Sequence, residues 1–397
     1  MLIDASNVGL ALLPPTGPHR VGTEAVHLVD EARSDPWEAT RSRELMVQVW
    51  YPAAPVAGEP AVPGRYLPQV VAALVLAGWA EEGEEFAPEL TDALADVPTH
   101  AYEAAPPVQG DLRPLVLLSP GLGEYRMGLT CLAEELASHG FVVACVDHPS
   151  DAAAVQLPDG RVIAHQEPDF GPEEGGADGA GGAVDEEGGI GAGSASGEAD
   201  TGSPDSPGGA DSADAADLTD LKDRYLATRI DDLRFTLDVL LAPGSGWRAL
   251  IDPGRIGVGG HSLGASAAAE FACLDRRSAA VALVDGSLYG DVLTTGLDVP
   301  VLLCGLTPPD PDDPHVLAGW ERLWPLLRGP RRWTTVPGAG HMSATDFDVL
   351  AGPLGLREPG HPDDLAAFGT LSPGRGLAAV RTALAAFFTE HLIDRAP

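Results

Sequence analysis

The chain has 397 residues, of which 44% are hydrophobic and 6% aromatic, enough for the core of one large domain or two smaller ones. Its formal net charge of -35 at pH 7 argues against nucleic acid as a partner and against attraction to anionic membranes. Much of the negative charge is local, because residues 162–221 contain 15 Asp or Glu and no Lys or Arg.

The first predicted elements are two strands, at residues 25–29 and 45–51, which we expect to pair antiparallel. Residues 66–106 then interrupt the order of elements before the next strand. Their segment LPQVVAALVLAGWA has the length of a helix and a wide apolar surface. It is either one more packed helix or a cap insertion over a site at the sheet edge, where insertions commonly carry ligand contacts.

From residue 114 onwards, predicted strands alternate with predicted helices. This order indicates a mainly parallel central sheet with helices on both faces, an α/β fold. The predicted strands are 114–119, 141–146, 255–259, 279–284, 300–304 and 333–336. The predicted helices are 127–139, 218–241, one that begins at 265, and 376–392.

An acidic insertion at residues 166–217 divides this pattern. It consists almost entirely of Gly, Ala, Ser, Pro, Asp and Glu, and cannot bury enough apolar surface to offset the entropy of ordering it. We therefore expect a disordered insertion within a single domain that spans residues 1–397. An acidic interaction tail is the functional alternative.

Four cysteines lie within apolar strand or helix patterns, which favours buried reduced thiols over disulfides. They are Cys131, Cys145, Cys273 and Cys304. The N-terminal segment lacks the basic region and apolar run of a signal peptide, so the expected localisation is cytoplasmic. No uninterrupted apolar stretch reaches the roughly 18 residues of a membrane helix, so no stable membrane span is expected.

The segment IGVGGHSLGASAAAE, residues 256–270, contains a Gly-x-Ser-x-Gly pattern centred on Ser262. In a chain with 48 glycines the pattern alone is weak, but here an apolar strand precedes it and a helix follows. That context is typical of a nucleophile elbow, a sharp turn that raises the serine hydroxyl above the sheet edge. The turn also places a helix N-terminus beneath a developing oxyanion. We interpret Ser262 as a nucleophile.

A serine nucleophile needs a base and an orienting acid, which follow it along the chain in α/β-hydrolases in the order acid, then histidine. Among the later histidines, His341 follows the predicted strand RRWTTV and the turn PGAG, where the base is expected. Two acids compete. Asp285 ends the strand AAVALVD, where a carboxylate without a partner would be costly. Asp310 is the alternative acid, in the proline-rich run TPPDPDD that is typical of a solvated loop.

Several stretches resemble the platelet-activating-factor acetylhydrolase family, of the plasma and intracellular type II kind, and more narrowly its actinobacterial esterase- or lipase-like members. The resemblance runs from about Leu45 to Phe347 and skips the acidic insertion. It is carried by VQVWYPA, LLSPGLGEYRMGLTCLAEELASHGFVVACVDH, RIDDLRFTLDVL, GGHSLGASAAAE, LVDGSLYG and PGAGHMSATDF. It implies an α/β-hydrolase fold and an acid after the strand that follows the nucleophile's helix, which matches Asp285. It also implies an Asp-Phe pair after the histidine, here Asp346-Phe347.

Two backbone N–H groups are expected to bind the oxyanion. One belongs to Leu263, the residue after the predicted nucleophile. The other lies in the loop SPGLG at residues 119–123, where the resemblance points to Leu122. Pro120 departs from the animal enzymes, which carry His before Gly-Leu-Gly, and the acidic insertion has no counterpart in the family.

The sequence therefore predicts a serine carboxylic-ester hydrolase in which Ser262, His341 and Asp285 form a catalytic triad. It shows no phosphate-binding loop, Cys/His cluster or nucleotide fingerprint, so we expect no cofactor and no metal. The resemblance implies short-chain acyl esters or platelet-activating-factor-like phospholipids as substrates, and thus a small-molecule or lipid ester as the ligand. Two alternatives stay open: an acyltransferase or thioesterase of a biosynthetic pathway with the same triad, and a binding protein without activity on a hydrolase scaffold.

Overall fold

The computed structural model describes residues 9–55, 62–80, 86–166, 211–306, 315–357 and 360–394. The alternative acid, Asp310, and most of the predicted acidic insertion lie outside the described residues. The sheet and its helices belong to one compact unit, Met1–Glu167 together with Asp223–Pro397. Pro168–Lys222 forms a second unit, in which the structure describes helix from Asp211.

Within the described residues, ten strands form one mixed sheet and two form a separate hairpin. The strands are β1 (Arg20–Ser34), β2 (Ser42–Ala53), β3 (Pro63–Arg65), β4 (Pro98–Glu103), β5 (Arg113–Ser119), β6 (Val142–Val146), β7 (Ala154–Gln156), β8 (Val162–Ala164), β9 (Ile251–His261), β10 (Ser278–Val284), β11 (Val301–Leu306) and β12 (Arg331–Val336). The spatial order in the large sheet is β12-β11-β10-β9-β5-β6-β2-β1-β4-β3, and β7 pairs with β8.

The strand directions divide the sheet into two parts. The six strands from β12 to β6 are parallel to one another. Beyond them, β2 pairs antiparallel with both β6 and β1, as expected for the opening strand pair. Because the carboxyl ends of parallel strands meet at one edge, the loops after β5, β9, β10 and β12 converge there. The predicted α/β-hydrolase architecture is confirmed.

The helices are α1 (Gln69–Ala77), α2 (Pro88–Ala95), α3 (Thr130–Ser138), α4 (Asp211–Leu241), α5 (Leu263–Leu274), α6 (Val292–Thr295), α7 (His315–Leu323), α8 (Phe347–Leu350), α9 (Pro362–Phe368) and α10 (Arg375–Phe388). Short 3-10 turns lie at Arg126–Leu129, Gly246–Ala249, Trp324–Leu326 and His341–Ala344, and a π turn, Thr389–Ile393, extends the last helix.

The core consists of one apolar layer on each face of the sheet. Strand β5 shows the reason, because successive side chains of a strand point to opposite faces. Val116 and Leu118 join the layer that contains residues of α1, α3 and α10. Leu115 and Leu117 join the layer that contains residues of α4, α5 and α7. A strand that is buried on both faces is apolar at every position, which is the pattern seen in PLVLLS.

Several elements differ from the sequence expectations. Helix α4 begins at Asp211, seven residues before the expected start at 218. The expected helix at 127–139 is divided into the 3-10 turn Arg126–Leu129 and α3, because Asp147 accepts the Arg126 N–H at 2.6 Å and fixes the turn there. Residues 66–106 contain two helices, and also a strand, β4, that joins the sheet beside β1.

The four cysteines are free thiols, as predicted; three are buried and Cys273 is half-buried. Among the described helices, the stretch Arg375–Ile393 has the length and apolar composition of a membrane span. Its residues Leu377, Val380 and Leu384 are buried in the core layer that contains α3, as in a packed core helix.

Candidate active site

Ser262 lies on a sharp turn between β9 and α5, with φ 56° and ψ -126°. Positive φ is unusual for a residue with a side chain and stores strain. The flanking glycines make the turn sterically feasible. A Cβ at Gly260 would lie 2.1 Å from the carbonyl oxygen of Gly264, and a Cβ at Gly264 would lie 1.9 Å from that of Ser119. The Gly-x-Ser-x-Gly pattern is therefore a packing requirement of this turn.

The predicted acid and base are in contact. Asp285 follows β10, also at positive φ (45°), and its Oδ2 accepts a hydrogen bond from His341 Nδ1 at 2.8 Å. Its other oxygen accepts the Leu306 N–H at 2.8 Å, which holds the carboxylate in place. Because a carboxylate only accepts, Nδ1 of His341 carries a proton and Nε2 is the basic nitrogen.

Ser262 and His341 line one cavity of about 280 Å³. The other lining residues come from α1, the loop after β5 and the segment after β12: Val75, Gly78, Trp79, Leu122, Gly123, Glu124, Tyr125, Gly128, Ala153, Met342, Thr345 and Phe347. Within the described part of the chain, neither Ser262 Oγ nor His341 Nε2 makes a hydrogen bond. Such bonds are often long in free enzymes and shorten when substrate binds.

The two predicted oxyanion donors lie at this cavity or beside it. Leu263 is the first residue of α5, where the N–H groups have no acceptor within the helix. Leu122 is 45% exposed, and its N–H has no hydrogen-bond partner among the described residues, whereas the N–H groups of Gly121 and Gly123 are both bonded. Both positions can therefore present an unpaired donor to a ligand.

Sequence reasoning missed the residue that holds the Leu122 loop. Arg229 of α4 is buried and donates to the carbonyl oxygens of Pro120 and Gly121, the latter at 2.9 Å. The same guanidinium donates to both carboxylate oxygens of Asp151, at 2.5 and 2.6 Å. Such a bidentate pair fixes the orientation of the guanidinium and hence of the loop. The quoted stretch RIDDLRF contains Arg229, but nothing in the stretch indicates this partner.

A second histidine–carboxylate pair lies beside the first, and it too had no predicted role. His261, the residue before Ser262, is fully buried and contacts Glu124 through Nδ1 at 3.1 Å. Its ring lies 4.5 Å from that of His341, centroid to centroid. The only sequence signal for a role of His261 is its position beside the predicted nucleophile in GGHSLG.

Asp346, noted only as part of the Asp-Phe pair, anchors the histidine segment to α3. Its carboxylate accepts the N–H groups of Thr130 and Cys131, both at 3.0 Å, at the start of that helix. Burial raises the pKa of this carboxyl to about 7. The next residue, Phe347, stacks on Trp79 with ring centroids 5.1 Å apart and planes 14° apart. One wall of the cavity is therefore aromatic, and α1 supplies the adjoining residues.

The other described side chains of histidines that follow Ser262 lie elsewhere. His361 is the N-cap of α9, and His391 lies against Phe387 near the end of the described chain. Among the described residues, no group of three or more His, Cys, Asp or Glu is arranged to hold a metal ion.

Comparison with known proteins shows which family the chain resembles. The family model for platelet-activating factor acetylhydrolase, isoform II, matches residues 5–166. A probable 1-alkyl-2-acetylglycerophosphocholine esterase from Arthroderma benhamiae is 24% identical over 87% of this chain and 79% of its own. Platelet-activating factor acetylhydrolase from Cavia porcellus is 47% identical over 45 residues, which cover 11% of this chain and 10% of its own.

A solved structure extends the likeness over nearly the whole chain. Ferulic acid esterase from Streptomyces cinnamoneus superposes with a TM-score of 0.73 at 34% sequence identity, covering 98% of this chain and 95% of its own. The resemblance predicted from the sequence motifs is thereby confirmed. The chain belongs to the platelet-activating-factor acetylhydrolase isoform II family of α/β-hydrolases and is a serine ester hydrolase.

Proposed function

We propose that Ser262, His341 and Asp285 are the nucleophile, base and orienting acid of carboxylic-ester hydrolysis in this protein. The carrying observation is the 2.8 Å bond between His341 Nδ1 and Asp285 Oδ2 at a cavity that Ser262 also lines. The bond orients the imidazole and leaves Nε2 as its basic nitrogen. In the same cavity, the strained turn at Ser262 supports its role as the attacking hydroxyl.

In the first half of the reaction, Ser262 Oγ attacks the ester carbonyl while His341 Nε2 takes its proton. The carboxylate of Asp285 stabilises the resulting imidazolium. The N–H groups of Leu122 and Leu263 donate to the oxyanion of the tetrahedral intermediate. His341 then returns the proton to the leaving alcohol, and the acyl group remains on Ser262.

In the second half, a water molecule enters the place of the alcohol. His341 takes its proton as the water attacks the acyl-enzyme, and a second oxyanion forms on the same two donors. Collapse of this intermediate releases the acid and returns the proton to Ser262. The cycle consumes one water and yields one acid and one alcohol.

The substrates that we propose are short-chain acyl esters, which include acetyl esters of platelet-activating-factor-like phospholipids. The cavity of about 280 Å³ is at the small end of ligand sites and suits a short acyl group. The fungal relative carries the name of an enzyme that acts on an acetyl ester of glycerophosphocholine.

A second candidate is esters of aromatic acids. Trp79 and Phe347 present stacked rings at the cavity wall, against which a planar acyl group could lie by offset stacking. The structural relative from Streptomyces is named as a ferulic acid esterase. Residues 66–106 would then serve as the cap that supplies Trp79.

The test is hydrolysis of p-nitrophenyl esters from acetate to palmitate, and of methyl ferulate, by the wild type and Ser262→Ala in parallel. We expect short-chain activity that disappears in the variant, together with fluorophosphonate labelling of the wild type alone. A wild type that cleaves the ferulate ester at least as fast as the acetate would favour the second candidate. Activity retained in Ser262→Ala would overturn the assignment of the nucleophile.

If the wild type is labelled but hydrolyses none of these esters, product analysis with added alcohols and thioesters would separate acyl transfer and thioester cleavage from ester hydrolysis.

A further inference from the structure

Both ring nitrogens of His261 are occupied by acceptors. Nδ1 lies 3.1 Å from a carboxylate oxygen of Glu124, and Nε2 lies 2.9 Å from the backbone carbonyl oxygen of His341. A carboxylate and a carbonyl can only accept, so each nitrogen must carry a hydrogen for both bonds to form. The buried His261 is therefore an imidazolium, and Glu124 is its counter-ion.

The electrostatics of the pair agree with this state. Burial opposes the charge on His261, but the carboxylates of Glu124 and Asp285 and the His341 carbonyl together outweigh it and raise the pKa of the imidazole above its ordinary value. Burial likewise opposes the charge on Glu124, but the adjacent His261 holds the pKa of that carboxyl below its ordinary value. Each partner keeps the other ionised, as a paired buried charge requires.

The pair connects three segments of the proposed site. Glu124 belongs to the loop after β5, where it also accepts the Gly121 N–H at 2.7 Å, one residue before the predicted oxyanion donor Leu122. At the other end, the His341 carbonyl belongs to the residue that carries the predicted base. His261 itself precedes Ser262. One ion pair thus links the nucleophile turn, the oxyanion loop and the base segment.

We propose that Glu124 and His261 are positioning residues that hold the His341 backbone and the Leu122 loop in register with Ser262. This inference rests on the function proposed above. Glu124 lines the cavity, but neither member of the pair is hydrogen-bonded to Ser262 Oγ or His341 Nε2. The pair acts on His341 through that residue's backbone and on Leu122 through the turn of its loop. A displacement of about 1 Å in such groups costs up to about 100-fold in rate.

The bond pattern gives the proposal a pH signature. Both bonds persist while His261 is protonated, and one is lost as the pH rises through its raised pKa. The groups that face His261 are the carboxylates of Glu124 and Asp285, and the imidazole ring and backbone carbonyl of His341. Replacing Glu124 by glutamine removes the charge that most favours protonated His261. Burial still opposes that protonation, so the pKa of His261 falls. Because one bond is lost when His261 loses its proton, we expect kcat to fall at high pH. We expect this fall to begin at a lower pH in Glu124→Gln than in the wild type.

The experiment compares Glu124→Gln, His261→Gln and His261→Asn with the wild type, in full-length protein. The glutamine at 261 can still donate to the His341 carbonyl from the Nε2 position, whereas the asparagine reaches only as far as Nδ1. The matched control is Glu44→Gln, which alters another histidine–glutamate pair, His27–Glu44 at 2.8 Å, between β1 and β2 and away from the cavity lining. The readouts are the melting temperature, KM, and kcat per active site titrated with fluorophosphonate, from pH 5 to 10.

We expect Glu124→Gln and His261→Asn to lose about 10- to 100-fold in kcat per titrated site with little change in KM. We expect His261→Gln to lose less than His261→Asn. We expect Glu44→Gln, which also weakens the pair of Glu44 with Arg161, to match the wild type in kcat per titrated site. The pair variants could instead lose total activity only in proportion to the fraction of protein that fluorophosphonate labels, with kcat per site and the pH profile unchanged. That result would mean that the pair only stabilises the fold, and it would overturn the inference. Ser262→Ala keeps the two proposals apart: if it is inactive while the pair variants match the wild type, this inference alone is wrong.

Discussion

Two histidine–carboxylate pairs lie side by side in this protein and differ in what the second ring nitrogen meets. In the pair of His341 and Asp285, the imidazole is 42% exposed, and its Nε2 makes no hydrogen bond within the described residues. In the pair of His261 and Glu124, the imidazole is fully buried, and its Nε2 is bonded to a backbone carbonyl. Both histidines contact a carboxylate through Nδ1, but only the His341 imidazole is exposed enough for a ligand to reach it.

The difference shows what a proton-transferring histidine requires. A carboxylate partner orients the ring, but the opposite nitrogen must be basic and must reach the ligand. His341 meets both conditions. His261 meets neither, because both of its nitrogens donate, and the same chemistry that makes it a poor base makes it a stable link between loops. A histidine beside a predicted nucleophile is therefore no sign of a second base.

The largest expected effect comes from removing the accessible histidine. His341→Gln keeps a polar side chain but no base, and we expect kcat to fall on the order of 10⁵- to 10⁶-fold. His261→Gln should lose far less in the same assay. Comparable losses in the two variants would contradict the distinction between the proton carrier and the positioning residue.

The next effect separates the two carboxylates. Asp285→Asn keeps the shape of the acid but no longer requires a hydrogen on Nδ1 of His341, so the wrong tautomer becomes favourable. We expect a loss of about 10⁴-fold in kcat, measured with p-nitrophenyl acetate at pH 7 to 8. Glu124→Gln should lose at most about 100-fold under the same conditions. If kcat of Asp285→Asn stays within tenfold of the wild-type value, Asp285 is not the orienting acid and Asp310 becomes the candidate.

The smallest effect concerns a third carboxylate, Asp346, which has backbone N–H partners instead of a histidine. Its pKa is raised to about 7 by burial, whereas in an unfolded chain it is about 3.9. Between pH 4 and 7 the folded state therefore binds more protons at this site, and its contribution to stability falls as the pH rises.

The test is the free energy of unfolding of the wild type and Asp346→Asn, by urea titration at several pH values. The variant cannot ionise here, so the difference in favour of the wild type should shrink by up to about 1.4 kcal/mol per pH unit over this range. A difference that is constant from pH 4 to 7 would contradict the raised pKa.

Much of this site could be predicted from local patterns. The strands at 114–119 and 279–284 agree with β5 and β10 to within one residue, because strands buried on both faces are apolar without interruption. The turn at Ser262 was recognisable because close backbone contacts exclude a Cβ at Gly260 and Gly264. The sequence favours Asp285 over Asp310 because a carboxylate without a partner is costly at a strand end and because the family resemblance points to that position, and the structure shows it in contact with His341.

The partners of buried charges could not be predicted in this way. Glu124 lies 137 residues from His261, and Arg229 lies 108 residues from Gly121, so no spacing rule connects them. Glu124 and Arg229 are charged residue types that are usually found at the protein surface. Their burial depends on a partner that arrives through folding, and the free energy of that contact is a property of both loops together.

The sequence by itself therefore determined which residues are candidates for the nucleophile, the acid and the base. A serine between two obligatory glycines, an acid at a strand end and a histidine after a later strand are dictated by backbone sterics and by the order of elements along the chain. The packed molecule determined which of two neighbouring histidines faces the cavity and which one is buried with both ring nitrogens bonded. That outcome depends on burial and on the second hydrogen-bond partner, and both are set by segments that meet only when the sheet has formed.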